Sequence, residues 1–318
     1  MNFYFAPLEG ITGYLFRNAH YSYYNQADKY FTPFLIPNQH DGFKGKDLRD
    51  VLPENNQVPV LIPQLLTNNA KDFIHTAKKL KTLGYEEINL NLGCPSGTVV
   101  AKHRGSGFLA MQSELDAFLE DIFSEAVTRI SIKTRIGKEN PEEFYKLIEI
   151  YNKYPMEELI IHPRVQKDFY KNTPNMDIFR YALTHSKNPI CYNGDLFTVD
   201  DYRRFVAEYP QITKVMLGRG LLSNPALIEA ITRGERLNKD ILRAYHDRIY
   251  SDYKSILFGD RNVLFKMKEI WFYLIKAFAD SEKYAKKIRK AERCSDYDEI
   301  IARLFEEGEL LFNEEGLI

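Results

Sequence analysis

The sequence predicts an α/β protein: a (β/α)8 TIM barrel followed by a smaller C-terminal helical bundle. Three observations carry that expectation. Short apolar or β-branched runs closed by Gly, Pro or polar residues recur eight times in the first ~235 residues. Segments with apolar residues at helical spacing separate most of these runs, which is the alternation that builds a parallel sheet. After about residue 238 the strand pattern stops and long helical stretches take over.

The strand candidates are residues 2–6, 30–36, 58–64, 87–92, 129–135, 159–162, 189–193 and 214–218. The clearest helices between them are 70–83, 113–126, 141–154 and 199–209. Residues 37–57 make a poor helix, which leaves an open doubly wound sheet as the lesser alternative. Helices at 239–257, 262–278 and 282–293 form the bundle, so the expected domains are 1–237 and 238–318.

At 318 residues, the chain exceeds the usual size of a single core. Hydrophobic residues make up 44% and charged residues 27%, an ordinary globular composition that excludes wholesale disorder. The formal charge of −1 rules out a nucleic-acid partner recruited by bulk charge, so any RNA contact must be local. From 239 to 293 there are fourteen Lys/Arg against eight Asp/Glu, which places a basic excess on the bundle. A charge run is also simply how a solvated helix face reads.

Cys94, Cys191 and Cys294 are far apart and odd in number, which argues against a disulfide framework and a zinc site. No apolar run approaches the ~20 residues of a membrane span. A soluble, cytoplasmic, metal-free protein is expected.

In such barrels the chemistry gathers at the C-terminal strand ends. The first strand delivers Pro7, Leu8 and Glu9; the third Gln64; the fourth Asn91 and the Gly93-Cys94-Pro95 loop; the fifth Lys133 and Arg135. His162, then Asn193-Gly194-Asp195, then Gly218-Arg219 close the last three. Glycines after strands seven and eight suit a phosphate, because the backbone can approach an anion and the next helix offers free N–H groups. Singly, each such glycine is an ordinary turn residue. Cys94 on a loop just past an apolar strand suits a nucleophile, a metal ligand or a proton donor, whereas Cys191 and Cys294 read as inert small hydrophobes. Lys133 among apolar neighbours calls for a partner, because an unpaired buried charge is costly. A barrel salt bridge, a Schiff base, or a contact to the electron-rich edge of a reduced flavin would each supply one.

With Pro7 to Gly10, Gln64, Asn91 to Pro95, Lys133, His162, Asn193 to Asp195 and Gly218 to Gly220 in this order, the sequence resembles the tRNA-dihydrouridine synthases. The resemblance covers about residues 1–235, with a helical domain following. It implies FMN as cofactor, NADPH as reductant and tRNA as partner; separately, the chain is expected to be monomeric. It also implies that a uridine 5,6 double bond is reduced by hydride transfer, with Cys94 as the proton donor. A neutral thiol fits that role, since a thiolate has no proton to give.

By position, Pro7, Leu8, Glu9, Gln64, Lys133 and His162 would hold the flavin, and Asn193, Gly194, Asp195, Gly218 and Arg219 its phosphate. Asn91, Arg135 and Tyr170 would face the base, with Lys102, Arg104, Lys286, Lys287, Arg289 and Lys290 on RNA phosphates. Three features depart from the family pattern: Leu8 stands for the more frequent Met, Pro163 for the glycine of His-Gly-Arg, and Gln166 is displaced from its usual place. The competing readings are a dihydroorotate dehydrogenase-like FMN barrel acting on a free pyrimidine, an aldolase using Lys133, and an RNA-binding barrel without chemistry.

Overall fold

The computed structural model describes residues 1–37 and 45–311. Its strands are β1 (Asn2–Phe5), β2 (Lys29–Phe31), β3 (Leu61–Ile62), β4 (Gln64–Leu65), β5 (Glu87–Leu92), β6 (Arg129–Gly137), β7 (Leu159–Val165), β8 (Ile190–Tyr192) and β9 (Lys214–Leu217). They form one sheet in the order β3-β2-β1-β9-β8-β7-β6-β5-β4. The pairings β1–β2, β2–β3, β4–β5, β5–β6, β6–β7, β7–β8 and β8–β9 are all parallel. β3 pairs with β2 and β4 with β5, and the two are consecutive pieces of one strand interrupted at Pro63. Proline lacks the N–H that a ladder needs, so the third barrel strand splits there while the ring of eight still closes.

Each expected strand is found, with changed bounds. The second is short, Lys29–Phe31, and resumes only as a bridge from Leu35 to Leu65. The sixth expected strand runs on to Val165, through Pro163. The pairing explains how: Arg135 faces His162 and Gly137 faces Val165, so β7 carries one extra residue over this step. Pro163 therefore lies in a bulge, where no ladder donor is required, and its carbonyl accepts from Asn175 N–H at 2.6 Å. In the second crossover a short helix, Gly45–Val51, precedes a 3-10 turn; residues 38–44 of the expected weak segment lie outside the described residues.

Local signals start the barrel helices. Asn69 caps Ala70–Thr82 by accepting from Asp72 N–H, Asn175 caps Met176–His185, and Thr198 with Asp201 forms a capping box for Val199–Glu208. Asn238 does the same for Lys239–Ile256. The later helices are Asp260–Leu274, Glu282–Lys290 and Cys294–Glu307, the last lying beyond the three bundle helices expected from the sequence.

The chain divides into two compact units. The first comprises Met1–Pro7, Lys29–Asp195 and Pro210–Met216, and carries the sheet. The second comprises Leu8–Asp28, Leu196–Tyr209 and Leu217–Ile318, so it includes helices Tyr14–Tyr23 and Val199–Glu208 as well as the C-terminal ones. Within it, Phe16, His20, Tyr23 and Tyr24 gather their rings around Tyr245 of Lys239–Ile256, at 5.4–6.4 Å between centroids. Trp271 Nε1 donates to Tyr297 Oη at 2.6 Å, leaving that hydroxyl to donate to His246 Nε2 at 2.6 Å. His246 Nδ1 then meets Asp247 at 2.7 Å, so Trp271, Tyr297, His246 and Asp247 are chained together. Among the described residues, no helix is long and apolar enough to cross a membrane, and no group of three or more His, Cys, Asp or Glu could hold a metal ion.

Burial drives the His20 pKa down to about 3, against a backbone hydrogen bond to Pro225 that raises it. Between that value and the ordinary 6.5, the unfolded chain holds a proton that the folded chain lacks, so stability falls as pH drops through this window. Replacing His20 with Phe should remove a slope of up to ~1.4 kcal/mol per pH unit. Urea midpoints for the two proteins, taken from pH 7 to pH 4, should diverge accordingly; parallel curves would refute the assignment.

Candidate active site

β5 carries Glu87, Asn89 and Asn91 at alternate positions, so these side chains share one face of a strand that is buried throughout. Asn89 lies opposite Gln64 on one side and Ser131 on the other, and Asn91 lies opposite Lys133. The same alternation puts Ser131, Lys133 and Arg135 on one face of β6, with Arg135 opposite His162. Parallel register thus stacks the polar residues of four strands in layers.

The Gly93-Cys94-Pro95 loop follows β5, and its peptide groups are held from several directions. Asn91 Oδ1 accepts from Gly93 N–H and Cys94 N–H, both at 2.9 Å. The Cys94 carbonyl accepts from Ser106 N–H at 3.1 Å and Ser106 Oγ at 2.7 Å. Arg135 Nε donates to Gly93 O at 3.0 Å, and Gln166 Nε2 to Pro95 O at 3.2 Å. Gly105, at φ +56°, lets the following segment wrap this closely: a Cβ there would lie 2.8 Å from Cys94 O. Cys94 itself is partly exposed, whereas Cys191 and Cys294 are buried.

Lys133 is partly buried, and among the described residues its ammonium has no hydrogen bond or ion pair. Desolvation, with Arg135 adding like-charge repulsion, lowers its pKa to about 8. A cation kept under such strain is suited to an anionic or electron-rich ligand.

Arg135 is nearly inaccessible at 1%, and beyond Gly93 it donates to Val165 O at 2.9 Å and Phe169 O at 2.7 Å. It thereby ties the loop after β5 to the segment after β7, which also carries Tyr170. The Tyr170 ring is half exposed, stacks on His162 at 6.1 Å, and lies 5.5 Å from the Arg135 guanidinium. His162 Nε2 sits 2.9 Å from Arg164 Nη1. A guanidinium can only donate, so Nε2 accepts and the neutral ring carries its proton on Nδ1. Arg164, 2% exposed, also grips Asp195 through both terminal nitrogens.

Several residues expected from the sequence therefore come together in the first unit: Gln64, Asn91, Cys94, Lys133, Arg135, His162, Tyr170 and Asp195. Pro7 ends the segment after β1, and Asn193 Nδ2 donates to Met216 O at 2.8 Å, which holds the turn after β8. At Gly194 a Cβ would fall 2.0 Å from Tyr192 Oη and 2.3 Å from its Cζ. Replacing Gly194 with Ala must displace that buried ring and should cost about 1–3 kcal/mol, readable as a lower urea midpoint. Lys102 is exposed, and Arg104 Nε donates to Asn68 Oδ1 at 3.3 Å.

Leu8, Glu9, Gly218 and Arg219 belong to the second unit. There Leu8 anchors a turn through Thr12, Glu9 is exposed, Gly218 precedes the short helix Arg219–Ser223, and Arg219 lies 5.1 Å from the Phe197 ring. Lys286, Lys287, Arg289 and Lys290 all lie on the exposed face of Glu282–Lys290, whose Tyr284 and Ile288 are buried.

Sequence reasoning missed Glu87, Asn89, Ser131 and Ser106, gave Arg164 no role, and set Gln166 aside. A signal for the first two was present: Glu-Ile-Asn-Leu-Asn-Leu places a polar residue at every second position of an otherwise apolar strand, which marks a polar barrel interior. Ser106 had no comparable signal, whereas Arg164 was visible as the arginine of His162-Pro163-Arg164 at a strand end.

A family model described as dihydrouridine synthase matches residues 4–305. The chain is 26% identical over 269 residues to a tRNA-dihydrouridine(16) synthase of Aquipseudomonas alcaligenes, covering 82% of each. It is 28% identical over 231 residues to the tRNA-dihydrouridine(16) synthase of Pseudomonas putida, covering 70% of each. It is also 26% identical over 247 residues to a probable tRNA-dihydrouridine synthase of Staphylococcus aureus, covering 76% of this chain and 74% of that one. Among solved structures, a variant of morphinone reductase in complex with tetrahydroNAD superposes with a TM-score of 0.53 at 11% identity, over 74% of this chain and 88% of that one. This last likeness is one of fold.

Proposed function

Since the chain belongs to the dihydrouridine synthase family, whose members are flavin-dependent oxidoreductases, we propose that it reduces the 5,6 double bond of a uridine in tRNA, as a cytoplasmic monomer using FMN and NADPH. The observation that carries this reading is the conjunction of a partly exposed thiol on the clamped loop that follows β5 with a lysine on the adjacent β6, opposite Asn91, whose ammonium has no hydrogen bond or ion pair among the described residues.

The residues present fit a flavin. An ammonium without a partner among the described residues, its pKa lowered by burial, is suited to the electron-rich edge of the ring. Pro7, Leu8, Glu9, Gln64, Lys133 and His162 are assigned to the ring, and Asn193, Gly194, Asp195, Gly218 and Arg219 to the phosphate. Asp195 is an acid already gripped by Arg164, so on the phosphate side its contribution is to hold that arginine and the turn. A flavin held by these residues and reduced by NADPH would supply a hydride for uracil C6.

The chain's own residues complete the reaction. Negative charge developing at C5 must be quenched by a proton, and Cys94 Sγ delivers it. Asn91, Ser106, Arg135 and Gln166 hold the cysteine's loop by its peptide groups, so that the thiol keeps one position as charge develops. Asn91, Arg135 and Tyr170 are assigned to the base. Because a base inside a folded RNA must leave its stack to be reduced, the protein also needs phosphate contacts around the pocket. Lys102 and Arg104 on the barrel (1–237) and Lys286, Lys287, Arg289 and Lys290 on the helical domain (238–318) are assigned to them.

Unmodified tRNA incubated with the FMN-loaded protein and NADPH should contain dihydrouridine by nucleoside mass spectrometry. NADPH oxidation without that product would overturn the tRNA reading in favour of a free pyrimidine substrate.

A further inference from the structure

A chain of buried hydrogen bonds runs up the barrel interior from the acid Glu87 to the peptide of Cys94. Lys29 Nζ donates to Glu87 Oε2 at 2.8 Å, and Ser131 Oγ to Glu87 Oε1 at 2.8 Å. Asn89 Nδ2 donates to Ser131 Oγ at 2.9 Å, Gln64 Nε2 to Asn89 Oδ1 at 2.8 Å, and Asn91 Nδ2 to Gln64 Oε1 at 2.7 Å. Asn91 Oδ1 then receives the N–H groups of Gly93 and Cys94. Every side chain from Glu87 to Asn91 is at most 7% exposed, so water offers these groups little alternative.

The direction of this chain is not free. An ionised carboxylate can only accept, and a backbone N–H can only donate. With Glu87 at one end and two peptide donors at the other, each intervening amide has one orientation that satisfies all its neighbours. Turning any one of them would set donor against donor and leave buried groups unmade.

We propose that Glu87, Ser131 and Asn89 are positioning residues for the reactive cysteine: they fix the orientation of the Gln64 and Asn91 amides, and through Asn91 the geometry of the Cys94 loop. The role assigned to the cysteine rests on the function proposed above, but the positioning does not. Ser131→Ala removes the hydroxyl that joins the acid to Asn89, and Glu87→Gln keeps the shape while adding a donor that unpins the chain's base.

The test is the rate at which iodoacetamide alkylates Cys94 in flavin-free protein, followed by peptide mass spectrometry, beside kcat and KM for tRNA. Ile122→Ala, in the core of helix Gln112–Ser124, serves as a variant of lowered melting temperature that touches none of these groups. Ser131→Ala and Glu87→Gln should each raise the alkylation rate about fivefold, the factor that losing one buried hydrogen bond implies. They should lower kcat by a similar factor with KM unchanged, while Ile122→Ala moves neither rate. Should Ser131→Ala fold poorly, Glu87→Gln alone decides. Unchanged or slower alkylation in the folded variant, or an equal rise in Ile122→Ala, would overturn the proposal. Because alkylation needs neither tRNA nor flavin, a wild type that forms no dihydrouridine would sink the functional reading and leave this test standing.

Discussion

Replacing Cys94 with alanine should lower dihydrouridine formation by about 10²- to 10⁴-fold, the range expected for loss of a general acid, while bound flavin and tRNA affinity stay within about twofold of wild type. The expectation follows from how the loop is held. Its anchors are peptide groups, namely the N–H groups of Gly93 and Cys94 on Asn91, the Cys94 carbonyl on Ser106, and the Gly93 and Pro95 carbonyls on Arg135 and Gln166. Each of these hydrogen bonds ends on a backbone atom of the loop, so all of them survive the loss of Sγ. Single-turnover formation of dihydrouridine, flavin absorbance and tRNA binding at fixed salt separate the three effects. Arg219→Ala should show the opposite pattern, with flavin lost and turnover restored by added FMN. If Cys94→Ala loses flavin to the same extent as Arg219→Ala, this division of roles is wrong.

Lys133→Met should stabilise the flavin-free protein and disable the enzyme. The Lys133 pKa falls from 10.5 to about 8, first through desolvation and then through Arg135. That difference corresponds to roughly 3 kcal/mol against the folded state whenever the lysine is charged in both states, below pH 8. Between pH 8 and 10.5 the unfolded chain holds the proton and the folded chain does not, so wild-type stability rises with pH and the penalty disappears. Methionine keeps the apolar stem and carries no charge. At pH 7 the variant should therefore gain on the order of 2 kcal/mol in urea unfolding, and the gain should shrink by pH 9.5. Flavin retention and turnover should fall together, because the cation that the fold holds at a loss is the one assigned to the flavin ring. A variant less stable than wild type at pH 7 would mean that Lys133 has a structural partner.

Much of this architecture was legible in the chain. Strand candidates such as 87–92 and 129–135 were recognisable because a barrel strand must be apolar on the side facing the helices and must end in turn residues, and both requirements are local. Cys94 stood out because it follows such a strand directly, between a glycine and a proline. The helix starts at Asn69, Thr198 and Asn238 were equally local, since a cap acts within three residues of itself. Helix Cys294–Glu307 was not among the expected bundle helices, although Tyr297, Ile301 and Leu304 form a buried face at helical spacing.

What the sequence by itself determined was the order of elements, the approximate place of each strand, and the positions of Cys94 just past one strand and Lys133 within the next. Tertiary structure alone decided which groups those residues touch. Gln64 meets Asn89 across 25 positions and Ser131 meets Glu87 across 44, contacts that exist only once strand register and barrel closure are set. Arg135 turned out to be a tie between two loops, and Arg164 the residue that fixes the proton of His162. Hydrophobic periodicity says which face a residue takes, but a hydrogen bond needs a partner within about 3 Å, and parallel register brings distant segments to that distance.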